Sequence, residues 1–217
     1  DPGTAVALVI QRGDKIIKKK LIRGMIPIAS ISCAYMIKPT VGYIKIDAFS
    51  LTTTSEFRKA AALLVQNGMQ KVIIDLRDNS GGVMTSAVDI ADDFLVGGLP
   101  ILSTKGAHTQ REVFTSTTGG AFEQLELSIL LNSNSASASE ILAGAIQDND
   151  RGMIVGRRSF GKGLVQKDIQ LNDGSDLRLT IARYYTPSGR CIQKPYSDGY
   201  ERYMNDPIDR LDNGELY

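Results

Sequence analysis

The sequence of 217 residues predicts an α/β protein built around a mainly parallel sheet. Short apolar runs bounded by polar residues, which are typical of buried strands, are twice followed by a tight polar turn and then by apolar residues at helical spacing. Strand–turn–helix units of this kind use right-handed crossovers, which make successive strands parallel. Active sites in such sheets collect at the carboxyl ends of the strands, so chemistry is expected at the two turns.

Composition allows one sizeable core, or one domain plus a fragment, because 42% of the residues are hydrophobic. The net charge of +1 argues against a nucleic-acid-binding surface, and no apolar run is long enough to span a membrane. Cys33 and Cys191 are too few for a disulfide framework, and they leave the redox compartment open. With His108 as the one histidine, the sequence also argues against a zinc site.

The first twenty residues predict two strands joined by a turn. Val6, Leu8 and Ile10 alternate along the first strand, and Gly13 begins the turn. The lysines at 18–20 favour an exposed strand face over an anion-binding patch. Twenty residues cannot form their own core, so we expect this segment to be the end of a domain that is otherwise missing.

The elements of the α/β region follow from apolar spacing and turn residues. Residues 21–37 are predicted to be β-rich, with Ile26 among the apolar positions, and residues 41–46 form an alternating strand. Thr53 and Glu56 predict a capping box for a helix over residues 57–66. The further predictions are strand 71–77, turn 78–82, helix 83–95, strand 101–104 paired with 112–115, and strands 152–156, 164–171 and 177–185. From 194 the chain is polar, which predicts a surface tail or an interrupted element.

Residues 127–149 change character at Asn132. An apolar strand precedes it, alternating serines follow it, and helical spacing begins at Glu140. The turn places hydroxyls beside the unpaired N–H groups of a helix start, which suits the stabilisation of negative charge, and such turns can display a serine nucleophile. On this segment alone, a capping box formed by Ser137 and Glu140 is the better-supported interpretation.

A serine nucleophile also needs a base. His108 lies in a polar stretch predicted to be a hairpin or surface loop, with no supporting motif. Lys162 lies between Gly161 and Gly163, in a loop expected to bury it partly, and burial would favour the neutral amine that accepts a proton. The alternative is a solvated loop lysine. A phosphate-binding loop is excluded because Lys162 is followed by glycine and a strand.

Several segments together resemble one known family. NSASASEILAGAIQDNDRGMIVGRRSFGKGLVQ is similar to the core motif of the C-terminal processing peptidases, or tail-specific proteases, which are Ser-Lys serine peptidases of the S41 group. IIDLRDNSGG, GYIKIDAF and ARYYTPSGR are also similar to that family. PGTAVALVIQRG resembles the last strands of the PDZ domain that precedes the family's catalytic core, so the similarity covers residues 3–193.

The resemblance implies a role for each matching residue. It makes Ser137 the nucleophile, Lys162 the general base and Gln166 the residue that positions the lysine amine. The implied oxyanion hole is formed by backbone N–H groups of Ala138 and of the glycine turn, Gly81 and Gly82. The rival serines and nearby acids are expected to be turn or cap residues: Ser135, Ser139, Glu140, Asp75 and Asp78.

The resemblance also implies a ClpP/crotonase-like spiral ββα core. Residues 1–20 would be the C-terminal strands of a truncated PDZ domain, and residues 21–217 an S41-type peptidase core that is incomplete at its C-terminus. The implied protein is a serine endopeptidase of the bacterial periplasm or cell envelope, without cofactor, metal or nucleic-acid partner. It would cleave C-terminal tails of unfolded or partly folded proteins through an acyl-enzyme. The alternatives are a non-catalytic peptide- or hydrophobic-ligand-binding module and a crotonase-type acyl-CoA enzyme. The oligomeric state is left open.

Overall fold

The structure is a computed structural model that describes residues 1–24, 28–197 and 199–215. Its helices are α1 (Thr53–Gln66), α2 (Met84–Asp92), α3 (Ala138–Asp148) and α4 (Tyr200–Asp212). Its strands are β1 (Ala5–Arg12), β2 (Lys15–Ile22), β3 (Ile31–Lys38), β4 (Val41–Ile46), β5 (Lys71–Asp75), β6 (Pro100–Lys105), β7 (Glu112–Thr115), β8 (Glu126–Leu131), β9 (Met153–Gly156), β10 (Leu164–Gln170) and β11 (Asp176–Tyr185).

The central sheet has the order β3-β4-β5-β8-β9. β4, β5, β8 and β9 are parallel, and β3 is an antiparallel edge strand, which confirms the mainly parallel sheet predicted from the sequence. Ile44, Ile74 and Ile129 lie side by side on adjacent strands and are fully buried. The turn that contains Ser137 (residues 132–137, the serine turn) follows β8, and the turn that contains Gly81 and Gly82 (residues 78–82, the glycine turn) follows β5. Both therefore lie at the carboxyl edge of this sheet.

Three aromatic rings join the helices to the chain that leads into β8. Phe57 on α1, Phe94 after α2 and Phe122 before β8 have ring centroids 5.7 to 6.0 Å apart, and one pair is edge-on. Burying each ring stabilises the fold by roughly 1.5–3 kcal/mol. This cluster fixes α1 and α2 beside the sheet, and α2 in turn packs against α3, the helix that begins at the serine turn.

A second sheet is antiparallel and has the order β10-β11-β6-β7. Its β6-β7 pair is the hairpin predicted from residues 101–115. The pairing of β11 with β6 was not predicted, because nothing local in either strand specifies a partner so distant in sequence. A register shift between Val165 and Gln166 interrupts the pairing of β10 with β11.

Among the described residues, β1 and β2 pair only with each other. They form the predicted hairpin, in register from Ala5 opposite Ile22, with Gly13 at the turn in a left-handed conformation (φ +60°). Several of their apolar side chains are exposed, including Val9 and Ile16 at 68%. The exposure agrees with the expectation that this segment cannot bury its own apolar residues. Ile26, which we counted in the β-rich segment, lies outside the described residues.

The predicted capping box at Thr53 and Glu56 is wrong. Helix α1 already begins at Thr53, with Thr52 at its N-cap. The Glu56 carboxylate instead accepts the backbone N–H groups of Ser30 (2.7 Å) and Ile31 (3.2 Å), where β3 begins. A tertiary contact therefore uses the acid that the local pattern assigned to the helix end.

Of the two predictions for the segment from 194, the surface tail is wrong, because most of that segment is the helix α4. Pro207 lies inside the helix and has no N–H, so the carbonyl oxygen of Tyr203 loses its usual partner. The Lys194 Nζ donates to that oxygen over 3.1 Å. The side chain of a residue outside the helix thus satisfies the group that the proline leaves unpaired.

Candidate active site

Ser137 lies at a sharp turn between β8 and α3. Its backbone angles are φ +54° and ψ −113°, a region that L-residues rarely occupy. Holding a residue in such a region costs of order 1–3 kcal/mol, and strand-to-helix turns that display a nucleophile are strained in this way. The predicted capping box with Glu140 is present, and the Ser137 side chain is half-buried.

The two rival serines of the same run are fully buried and engaged. The Ser135 hydroxyl donates to the carbonyl oxygen of Leu76 over 2.8 Å. The Ser139 hydroxyl donates to the carbonyl oxygen of Asn79 over 3.0 Å. Both side chains therefore tie the serine turn to the turn that follows β5, whereas Ser137 reaches the surface.

The glycine turn after β5 packs directly on Ser137. Gly81 and Gly82 have φ angles of +99° and +138°. A Cβ atom on Gly81 would lie 2.7 Å from the Cβ of Ser137, and one on Gly82 would lie 2.0 Å from the carbonyl oxygen of Phe49. No larger residue fits either position without displacing backbone.

The backbone N–H groups beside Ser137 differ in their partners. The Gly81 N–H donates to the Asn79 side chain over 2.8 Å. Across residues 1–24, 28–197 and 199–215, no hydrogen bond is formed by the N–H of Gly82 or by the N–H of Ala138, the first residue of α3. These two donors are therefore available to an oxygen atom bound at the turn.

Lys162 lies in the loop between β9 and β10. The loop backbone is fixed on several sides: the Phe160 N–H donates to Ser135 O (2.9 Å), the Lys194 N–H donates to Gly161 O (3.0 Å), and the Gly163 N–H donates to Gln193 Oε1 (3.0 Å). The side chain of Lys162 is exposed. The expected partial burial of the lysine is therefore wrong, because the glycines enclose the backbone and leave the side chain outside.

Glu140 connects the serine turn to the loop of residues 157–163 between β9 and β10, which we call the lysine loop. Sequence analysis missed this connection. Glu140 is 6% exposed, and its carboxylate accepts four hydrogen bonds. The donors are Ser159 Oγ (2.6 Å), Gly161 N (2.7 Å), Ser137 N (2.8 Å) and Lys162 N (2.9 Å). The bond to Ser137 is the predicted half of the capping box, and the other three reach a loop about twenty residues away. A Ser-x-x-Glu pattern gives no signal for such distant partners.

The side chains of the residues implied by the resemblance are not joined in this structure. Gln166 is exposed on β10 beside the register shift, opposite Thr180. Within the described part of the chain, no hydrogen bond joins the side chains of Ser137, Lys162 and Gln166. The structure therefore links the backbones of Ser137 and Lys162 through Glu140, and among the described residues no hydrogen bond brings the Gln166 side chain into that link.

Helix α4 holds the lysine loop from its outer side, a contribution that sequence analysis also missed. The buried Arg210 guanidinium donates to the carbonyl oxygens of Arg158 and Ser159, the latter over 3.4 Å. The Lys194 ammonium lies 5.0 Å from the ring centroid of Phe160 and 4.0 Å from that of Tyr203. The sequence signal that could have predicted the helix α4 itself is the helical spacing of its apolar residues: Tyr200, Met204, Ile208 and Leu211.

Asp75 forms a charged cluster at the carboxyl end of β5. Its side chain is 1% exposed, accepts the Tyr43 hydroxyl (2.6 Å) and pairs with the Arg77 guanidinium (2.6 Å). Burial raises the pKa of Asp75, but the hydrogen bonds from Arg77 and Tyr43 outweigh it and lower the pKa to about 2. Burial and the bond to Asp75 raise the pKa of Tyr43 to about 12. Asp78 accepts Asn132 and Asn134, as expected of a turn residue.

Metal binding, disulfide formation and membrane insertion depend on features that can be examined in the part of the chain that the structure describes. No three His, Cys, Asp or Glu side chains there are grouped to hold a metal ion, and Cys33 and Cys191 are free, exposed thiols. None of the helices in those residues is both long and apolar enough to cross a membrane. His108 is exposed in the loop between β6 and β7.

Comparison with known proteins places this chain in a family. The sequence model of peptidase family S41 matches residues 40–199. The chain is 38% identical over 199 residues to a carboxy-terminal-processing protease of Bartonella bacilliformis, covering 88% of this chain and 45% of the relative. It is 41% identical over 155 residues to a carboxyl-terminal-processing protease of Synechocystis, covering 71% of this chain and 36% of that relative.

Among solved structures, the photosystem II D1 C-terminal processing protease superimposes with a TM-score of 0.68 at 28% identity. The superposition covers 89% of this chain and 54% of that protein. The chain thus spans less than half of the two curated relatives and about half of the solved one. The mixed α/β fold that we expected is confirmed by this match. With residues 40–199 matched by the family model, the chain belongs to peptidase family S41.

Proposed function

We propose that this chain is the catalytic core of a serine endopeptidase in which Ser137 is the nucleophile, Lys162 the general base and Gln166 the residue that orients the lysine amine. One observation carries the proposal. Ser137 stands at a strained turn with free backbone donors beside it, and the carboxylate that bonds its N–H also bonds the Lys162 N–H. Acyl transfer needs this combination of a nucleophile, a nearby base and donors for the developing oxyanion.

In the proposed reaction, the Ser137 Oγ attacks the carbonyl carbon of the scissile peptide bond and its proton passes to the Lys162 Nζ. The tetrahedral intermediate collapses, the C–N bond breaks, and the leaving amine takes the proton from Lys162. Water then hydrolyses the ester with the same groups. Because the Lys162 side chain is exposed, substrate binding would have to bring its amine to the hydroxyl and exclude water.

For the oxyanion hole we propose the N–H groups of Ala138 and Gly82. The Gly81 N–H already donates to Asn79, so its use would require breaking that bond. Gly81 would instead provide the close approach, since its missing side chain lets the turn pack on Ser137. The sequence left Gly81 and Gly82 equivalent, and the bond from Gly81 to Asn79 supports Gly82 as the donor.

For substrates we propose C-terminal tails of proteins, because the relatives of similar sequence are named carboxy-terminal-processing proteases. We further propose that residues 1–20 are the last strands of a PDZ domain and that residues 21–217 are the peptidase core. The isolated β1-β2 hairpin, with its exposed apolar side chains, is consistent with that division. A periplasmic or cell-envelope location is proposed from the named bacterial relatives.

Labelling with a fluorophosphonate, mapped by mass spectrometry, tests the proposal against a binding module and a crotonase-type enzyme. We expect label on Ser137 alone, with labelling lost in Lys162→Ala. Ser133→Ala is the matched control, because Ser133 is a half-buried serine of the same run. Label on Ser135 or Ser139 would reassign the nucleophile, and absence of both label and peptide hydrolysis would favour the binding module.

A further inference from the structure

We infer that Glu140 is a positioning residue, whose buried carboxylate sets the backbone that carries Lys162 relative to the backbone that carries Ser137. The inference rests on the proposed roles of these two residues. Its starting point is a single atom: Glu140 Oε2 accepts both the Ser137 N–H (2.8 Å) and the Lys162 N–H (2.9 Å). The nucleophile and the base are thus joined through one oxygen, although their side chains are not.

The second carboxylate oxygen holds the same loop one residue earlier. Oε1 accepts the Gly161 N–H (2.7 Å) and the Ser159 hydroxyl (2.6 Å). Because a carboxylate is rigid and planar, its two oxygens fix the loop at two points as well as the serine turn. A shift of either segment would therefore stretch bonds to the other.

The number of bonds exceeds what a helix cap requires. Of the four bonds that Glu140 accepts, a capping box includes only the one donated by the Ser137 N–H. The other three bonds cross to the lysine loop, and all four donors are neutral groups, three of them backbone N–H. A buried carboxylate without a paired cation is stable only when its oxygens accept hydrogen bonds in this way. Losing it would leave the Gly161 and Lys162 N–H groups without acceptors.

Three substitutions separate the parts of this arrangement. Glu140→Ala removes all four bonds. Glu140→Gln keeps one acceptor oxygen, which can hold the Ser137 and Lys162 N–H groups, and a Ser159 hydroxyl can reverse to accept from the new amide. Ser159→Ala removes one bond of the four and leaves the backbone contacts intact. From the most to the least active, the expected order is therefore Ser159→Ala, Glu140→Gln and Glu140→Ala.

The kinetic experiment measures kcat and KM for an unstructured peptide. We expect Glu140→Ala to lower kcat by about 100-fold with a change in KM of only a few-fold, since misplacing a catalytic group by about 1 Å has that scale of effect. The variant Glu140→Ala/Lys162→Ala should be at most a few-fold slower than Lys162→Ala, because without Lys162 the bond to the Ser137 N–H is the one positioning contact that Glu140 still makes. Ser159→Ala should stay within a few-fold of the parent.

Hydrogen exchange, read on peptides that contain residues 159–163, tests the same inference without relying on turnover. Faster exchange in that segment for Glu140→Ala and Glu140→Gln, with unchanged exchange in the central sheet, is expected. If Glu140→Ala fails to fold, the kinetics and the hydrogen exchange are both measured on Glu140→Gln. Full activity of Glu140→Ala beside an inactive Lys162→Ala, or unchanged exchange in the loop, would overturn this inference alone. A Lys162→Ala variant as active as the parent would overturn the proposed function and this role together.

Discussion

The serine turn and the lysine loop face each other across Glu140, and they are held in different ways. The serine turn is enclosed by the core: Ala138 and Ser139 are fully buried, and Gly81 is in contact with Ser137. The lysine loop is held at its backbone by side chains from α3 and from residues 193–210, and the Lys162 side chain itself is exposed. The proposed nucleophile and oxyanion donors are therefore held by the core, while the proposed base depends on neighbouring segments for its position.

The strongest test of this comparison removes the side chains of the proposed nucleophile and base one at a time. Ser137→Ala and Lys162→Ala should each lower kcat/KM by roughly 10⁴-fold or more, and the double variant should be no slower than either single one. Since the Lys162 side chain is exposed, its loss should leave the melting temperature unchanged. Peptide hydrolysis and thermal melting measure the two effects.

His108→Ala is the matched control for the base. His108 is exposed between β6 and β7, and we expect its replacement to change kcat/KM by only a few-fold. A loss of about 10³-fold would reassign the base to a histidine. Substantial turnover by Ser137→Ala would end the proposed mechanism.

The next test disturbs the half that the core holds. Gly81→Ala should lower kcat by about 100-fold, because the new Cβ would lie 2.7 Å from the Ser137 Cβ and would displace the nucleophile. It should also destabilise the fold by roughly 1–3 kcal/mol through overpacking. Kinetics and urea unfolding report the two quantities separately.

Gly98→Ala separates backbone strain from this close contact. Gly98 also has a positive φ (+87°), but an added Cβ meets nothing within 4 Å. It should cost about 1–2 kcal/mol of stability with kcat unchanged. If Gly81→Ala and Gly98→Ala have equal kinetics, the turn does not position Ser137.

A smaller effect is expected from the segment that holds the lysine loop. Lys194→Met removes the donor to Tyr203 O and the cation beside the Phe160 ring, so α4 should pack less firmly on the loop. We expect a decrease in kcat of about tenfold, which corresponds to roughly 1.4 kcal/mol in the barrier. Lys59→Met, at an exposed position on α1, is the control. Equal kinetics for both variants would show that α4 does not position the loop.

Sequence reasoning succeeded where local pattern decides structure. The parallel strands, the two turns and the helix after Ser137 follow from apolar spacing over short windows, and the structure confirms them. It failed where distant groups decide. Glu56 bonds β3 instead of capping its own helix, and Pro207 is tolerated because Lys194 supplies the missing donor.

The same distinction explains what could be predicted of the site. The resemblance supplied Ser137, Lys162, Gln166 and the glycine turn as expectations. It could not supply the second role of Glu140, whose partners lie in another loop, or the exposure of the Lys162 side chain. Contacts of this kind depend on how the two loops meet, and neither loop contains that information alone.

The smallest effect on hydrolysis is expected at Asp75, which anchors the strand that leads into the glycine turn. Hydrogen bonds from Arg77 and Tyr43 lower the pKa of Asp75 from 3.8 to about 2 despite its burial. Asp75→Asn should therefore lower the free energy of unfolding at neutral pH by about 2 kcal/mol. The ionised Asp75 carboxylate stabilises the folded state above pH 3.8, because its pKa is lower when folded than when unfolded. This contribution is lost as the pH falls toward 2 and the carboxylate is protonated. The difference in unfolding free energy between parent and variant should therefore shrink over this interval. Asp14→Asn, at the exposed β1-β2 turn, should change stability by less than about 0.5 kcal/mol. A constant difference between parent and Asp75→Asn down to pH 2 would show that the charge of Asp75 contributes nothing to stability.

The same variant tests whether stability and catalytic geometry are separate properties of the serine turn. Because that turn is also fixed by Gly81, Ser135 and Ser139, kcat of Asp75→Asn at neutral pH should fall only a few-fold.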